Sequence, residues 1–83
     1  MTTHPNMTEY RRVAVSRAAD EMLACYIDWR EDTVAVADAY ARWTVSPERE
    51  ATSRFSAYVA ALDQEELSAK GYAAAVAKLE RLL

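Results

Sequence analysis

From Val15 to Trp43 the chain returns to one side of a helix at alternating steps of four and three. The members are Val15, Ala19, Met22, Tyr26, Trp29, Thr33, Val36, Tyr40 and Trp43, and only Thr33 is polar. The alternation resumes with Ala51, Phe55, Tyr58, Leu62, Glu65, Ala69, Tyr72, Val76, Leu79 and Leu83, where Glu65 is the one polar member. Such spacing keeps a single apolar stripe turned toward a partner along the whole length of a helix, which is the coiled-coil pattern.

The breakers agree with two long helices. Asn6 can cap a helix, with Glu9 three residues on, as a capping box requires. No Pro or Gly follows until Ser46-Pro47-Glu48. Ser46 suits an N-cap, Pro47 the first helical position, and Glu48 and Glu50 the positive end of a helix dipole. Beyond Pro47 the one remaining breaker is Gly71. The expectation is an all-α fold: a flexible lead over residues 1–5, a helix over about 6–43, a turn at 44–46 and a helix over about 47–83. Together these make a long antiparallel two-helix hairpin, coiled-coil-like. Asp63, with Glu66 three residues on, is a rival start for a third helix, but the heptad phase passes through residue 63 unchanged. Folding the arms about residues 44–46 sets Tyr40 against Ala51, Val36 against Phe55, Trp29 against Leu62, Met22 against Ala69 and Ala19 against Tyr72. Large side chains then face small ones, as dense packing needs.

A chain of 83 residues holds one domain. Its apolar share of 52% exceeds what a lone hairpin can cover. A second apolar stripe (Leu23, Ile27, Val34, Ala37, Ala41) runs beside the first seam. The second arm carries small residues at Ala57, Ala60, Ala61, Ser68, Gly71, Ala74 and Ala75. The expected outcome is a homodimer forming a four-helix bundle, with Leu23, Ile27, Val34, Ala57, Ala60, Ala61, Gly71 and Ala74 at the interface. A helical protein partner is the other option. The plainer reading of the alanines is that they are good helix formers on a solvated face.

Other function classes find little support. The net charge is −3 with mixed signs, so no basic stripe is offered to a nucleic acid. No apolar run reaches membrane-spanning length. The first residues lack the basic and apolar regions of a signal peptide, and the expected location is the cytoplasm. Cys25 is the single cysteine and His4 the single histidine, so neither a disulfide framework nor an ordinary zinc site is expected, and no cofactor is implied. Cys25 reads as a small buried hydrophobe. Glu65 falls in the seam opposite Tyr26, a polar pair that sets register or, less simply, moves a proton. Thr33 opposite Tyr58 reads the same way. The aromatic residues, at heptad spacing, read as core, with Trp43 a partly exposed anchor near the turn. No catalytic constellation emerges.

Two resemblances bear on these expectations. A short two-helix chain with Trp43 beside the turn resembles the WXG100 class of small secreted helical hairpins, which implies export. That family places Trp-x-Gly at the turn, whereas here Trp43-Thr44-Val45 stands, and Val76 stands four residues after Tyr72 where its export signal has an acid. The stretch Ser46-Pro47-Glu48-Arg49-Glu50-Ala51 is similar to the Arg-Glu motif of small all-helical chorismate mutases. That likeness implies a dicarboxylate pocket, for which Arg12, Arg30 and Arg49 are available and the loop Lys is missing.

Overall fold

The computed structural model describes residues 6–83, and the predicted lead over residues 1–5, His4 included, lies outside the described residues. Helix α1 runs Met7–Thr44 and helix α2 runs Ala51–Leu82, with a short 3-10 turn over Glu48–Glu50 between them. The two long helices pack antiparallel as an extended hairpin measuring 75 × 20 × 13 Å. Its radius of gyration is 19.9 Å, against about 12 Å for a compact domain of this length. No helix among the described residues is long and apolar enough to cross a membrane.

Local chemistry explains where the helices begin and end. The Asn6 side chain accepts a hydrogen bond from the Glu9 backbone N–H at 2.9 Å, which satisfies one orphan donor of α1. At the other end, the Ser46 hydroxyl donates to the Trp43 carbonyl at 2.7 Å and the Ser46 N–H donates to the same oxygen at 3.2 Å. Ser46 therefore closes α1; it does not cap α2. Pro47 is extended (φ −65°, ψ 154°), and its carbonyl accepts from the Glu50 N–H at 2.8 Å. Where the sequence predicts a turn at 44–46 and a second helix from about 47, the chain has a non-helical link over residues 45–47, a 3-10 turn over Glu48–Glu50 and α-helix from Ala51, so the connection between the two α-helices spans residues 45–50. Helix α2 is continuous through Asp63, so there is no third helix among the described residues. At its far end the Arg11 guanidinium donates to the carbonyls of Leu82 (3.0 Å) and Leu83 (2.7 Å), placing positive charge where the helix dipole is negative.

The longer turn moves the register. Tyr72 packs on Tyr26, Tyr58 on Tyr40 and Phe55 on Trp43, with ring centroids 5.5, 5.5 and 5.0 Å apart. The predicted partners of these residues were Ala19, Thr33 and Val36. These three ring contacts lie seven residues from that expectation, while the Glu65 carboxylate meets Trp29, three residues from its predicted partner Tyr26, so the arms are displaced along the seam relative to the predicted pairing. A slide of one heptad along the seam returns every position to an equivalent one, so the spacing alone does not fix the register. The turn geometry does.

The seam is also rotated. The residues covered at every step are Val15, Ala18, Met22, Cys25, Trp29, Asp32, Val36, Ala39 and Trp43 in α1, and Ala51, Arg54, Tyr58, Ala61, Glu65, Ser68, Tyr72, Ala75, Leu79 and Leu82 in α2. One column of the predicted seam holds. The other sits one residue earlier, on Ala18, Cys25, Ala39, Ala61, Ser68 and Ala75. Small side chains let the two backbones approach, and the larger residues beside them (Tyr26, Tyr40, Phe55, Leu62) are pushed to the rim. Among the described residues only Ala18 and Ala75 are fully buried, so the hairpin has a seam but no enclosed core there.

Two polar seam positions find partners other than those predicted. Glu65 accepts a hydrogen bond from the Trp29 indole N–H at 2.8 Å, whereas Tyr26, its predicted partner, packs on Tyr72. The Thr33 hydroxyl donates back to the Arg30 carbonyl at 2.7 Å, leaving Tyr58 to stack on Trp43 (5.6 Å, 14°). Trp29 stacks on Tyr72 in the same way (5.7 Å, 9°), so each tryptophan is held between aromatic neighbours of both arms. Such pairs contribute roughly 0.5–1.5 kcal/mol each beyond their burial.

Two measurements check this register. Nuclear Overhauser contacts are expected between the rings of Tyr26 and Tyr72, and none between Tyr72 and the Ala19 methyl; the reverse pattern establishes the shorter turn. A double-mutant cycle over Trp29→Phe and Glu65→Leu should show a coupling of about 1 kcal/mol in urea denaturation at one fixed protein concentration, because losing either partner alone strands a polar group in the seam.

Candidate functional site

The hairpin has two broad faces. Its antiparallel arms are related by a pseudo-two-fold axis normal to the hairpin, so equivalent positions of α1 and α2 emerge on the same face. One residue past the seam is about 100° further around a helix. Tyr26 and Tyr40 follow Cys25 and Ala39, and Phe55 and Leu62 follow Arg54 and Ala61. These four rise on one side, here the front. Leu23 and Val59 flank them on the outer rows of the same face. All six are exposed: Leu23 by 56%, Tyr40 by 50%, Phe55 by 45%, and Tyr26, Val59 and Leu62 by 37–39%. The aromatic rings at the seam therefore run without interruption into solvent.

The rear face differs in chemistry. Glu21 and Lys78 form an ion pair across it at 3.0 Å. Around its centre Asp28, Glu31 and Asp32 of α1 meet Gln64, Leu67, Ser68 and Gly71 of α2 over a shallow depression that Cys25 also lines. Among the described residues no group of three or more His, Cys, Asp or Glu is arranged to hold a metal ion. The i,i+4 pairs Asp38–Arg42 (2.9 Å) and Glu66–Lys70 (3.2 Å) are exposed and contribute only tenths of a kcal/mol each.

The residues singled out by sequence do not form one surface. Leu23 is on the front. Ile27 and Val34 point away from the seam on the outer side of α1, half to two-thirds exposed. Ala57, Ala60, Gly71 and Ala74 lie on the rear and outer sides of α2, across the hairpin from Leu23. Ala61 is in the seam itself, and Tyr26 and Glu65 occupy the rim and the seam without bonding to each other. The sequence reading missed Tyr40, Phe55, Val59 and Leu62 as surface, because three of them were assigned to a seam that is rotated away from them. Arg12 and Arg30, eighteen residues apart on α1, stand roughly 27 Å apart along its axis, and Arg49 lies in the turn. The three arginines do not converge.

No family model, curated protein or solved structure matches the chain.

Gly71 offers a check on the role of the small-residue stripe. A Cβ built there meets nothing within 4 Å, and the residue sits in the interior of α2. Gly71→Ala should therefore stabilise the protein by about 0.5–1 kcal/mol through helix propensity alone, raising the melting midpoint by a few degrees with no change in association state. A loss of stability or of assembly would place a close partner against Gly71.

Proposed function

We propose that this protein is a small helical interaction or structural element that works through helix–helix association, with itself or with a helical partner, and carries no chemistry of its own. One observation carries the reading. Six large apolar side chains lie exposed on one face of a hairpin that, among the described residues, fully buries only two alanines. The accessible surface of 6482 Å² compares with about 5,000 Å² for a compact protein of 9.3 kDa. Contiguous apolar surface of this kind marks an association site in a monomer-sized chain. The rear depression is lined mainly by acidic and small side chains, which suit a solvated surface better than a substrate pocket.

Sedimentation equilibrium from 1 to about 200 μM is the direct test. The expected result is a mass above that of the monomer, with a melting midpoint that rises with protein concentration. Leu23→Lys should weaken the assembly while leaving the far-ultraviolet circular dichroism of the helices intact. A monomer that melts cooperatively at a concentration-independent midpoint, indifferent to Leu23→Lys, would overturn self-association.

A further inference from the structure

The front face is complementary to itself in one specific arrangement, and we infer that a second copy of this chain covers it with α1 of each protomer lying over α2 of the other. The inference rests on the self-association reading above and adds the face, the partner and the pairing.

The argument begins with the outer rows of the front face. On α1 the row at seven-residue spacing reads Leu23, Arg30, Ala37; on α2 it reads Val59, Glu66, Ala73. All six residues are exposed. The ring contacts of Tyr26 with Tyr72 and of Tyr40 with Tyr58, together with the Trp29–Glu65 hydrogen bond, fix their relative heights to within a helical turn. Leu23 then lies within a helical turn of the height of Ala73, Arg30 of Glu66, and Ala37 of Val59. A two-fold axis parallel to the helices preserves height and sets α1 over the partner copy's α2. Large then meets small twice, and a cation meets an anion between them. The alternative two-fold, across the hairpin, stacks α1 on α1. With its axis at the height of Arg30, it sets that guanidinium against its own symmetry mate.

The charges favour the first arrangement. Arg30 makes no ion pair among the described residues, and Glu66 is engaged only by Lys70 of its own helix, so the opposed charges are available to each other. Either two-fold makes every neighbouring helix pair in the four-helix bundle antiparallel, which opposes the helix dipoles favourably. Tyr26, Tyr40, Phe55 and Leu62 would then form the centre of the bundle, with Ile27 and Val34 left at its edge.

A charge exchange tests the pairing. Arg30→Glu alone and Glu66→Arg alone each set like charges opposite one another twice per dimer. Each should weaken dimerisation about tenfold or more at 50 mM salt. Mixing the two variants in equal amounts should restore a dimer containing one of each chain, and the doubly exchanged chain should dimerise with itself. A second measurement is independent of the charges. In a Cys25→Ser background, an Ala37→Cys chain mixed with a Val59→Cys chain should give the mixed disulfide dimer under mild oxidation in preference to either self-linked dimer. Variants that associate but show no recovery on mixing, or Ala37→Cys chains that link mainly to themselves, would overturn this arrangement while leaving self-association standing. A strict monomer at all concentrations would overturn both.

Discussion

Two helices in contact cover one stripe on each other and no more, and that limit governs this protein. A stripe of two columns per helix is enough to hold a long hairpin together. It cannot enclose a side chain from all directions, because no third element closes over it. The consequence is that Trp29 and Trp43 are well packed on their neighbours, yet nothing larger than alanine is fully buried among the described residues. Stability of the isolated hairpin then depends on length, on helix propensity and on repeated aromatic contacts. A surface that continues the seam is left open.

Within the seam, close approach and aromatic bulk divide the two columns between them. Ala18, Cys25 and Ala39 on one arm, and Ala61, Ser68 and Ala75 on the other, allow the backbones to come near. The second column (Met22, Trp29, Val36, Trp43; Tyr58, Glu65, Tyr72, Leu79) fills the space that remains. Trp29 carries particular weight, since its ring stacks on Tyr72 while its N–H meets Glu65. A carboxylate in an apolar seam is costly without a donor. This donor comes from the opposite arm, so the pair favours one register over its neighbours by more than shape alone.

The same rotation links packing to function. Moving the seam onto small residues displaces Tyr26, Tyr40, Phe55 and Leu62 to the rim, where they form the front face. A seam centred on those residues would have buried them and left alanines outside. The association proposed here is thus a by-product of how the two arms meet. The rear face, with its Glu21–Lys78 ion pair and acidic centre, is the more polar side, with Leu67 exposed among those groups.

The sequence by itself determined the helices, their approximate lengths and the antiparallel hairpin. Those properties are local: Asn6 bonds three residues away, the heptad spacing needs no partner to be visible, and the absence of breakers forces continuity through Asp63. One column of the seam was legible for the same reason. The register, the rotation of the seam and the makeup of the exposed face were decided only in the tertiary structure. Sliding one arm by a heptad leaves every column unchanged. The adjacent columns of α1 and α2 are both apolar or small enough to serve. What separates these arrangements is the path of six residues, 45–50, in which Ser46 closes the first helix and Pro47 stays extended. That turn sets which rings meet, and through them which side chains are left facing outward.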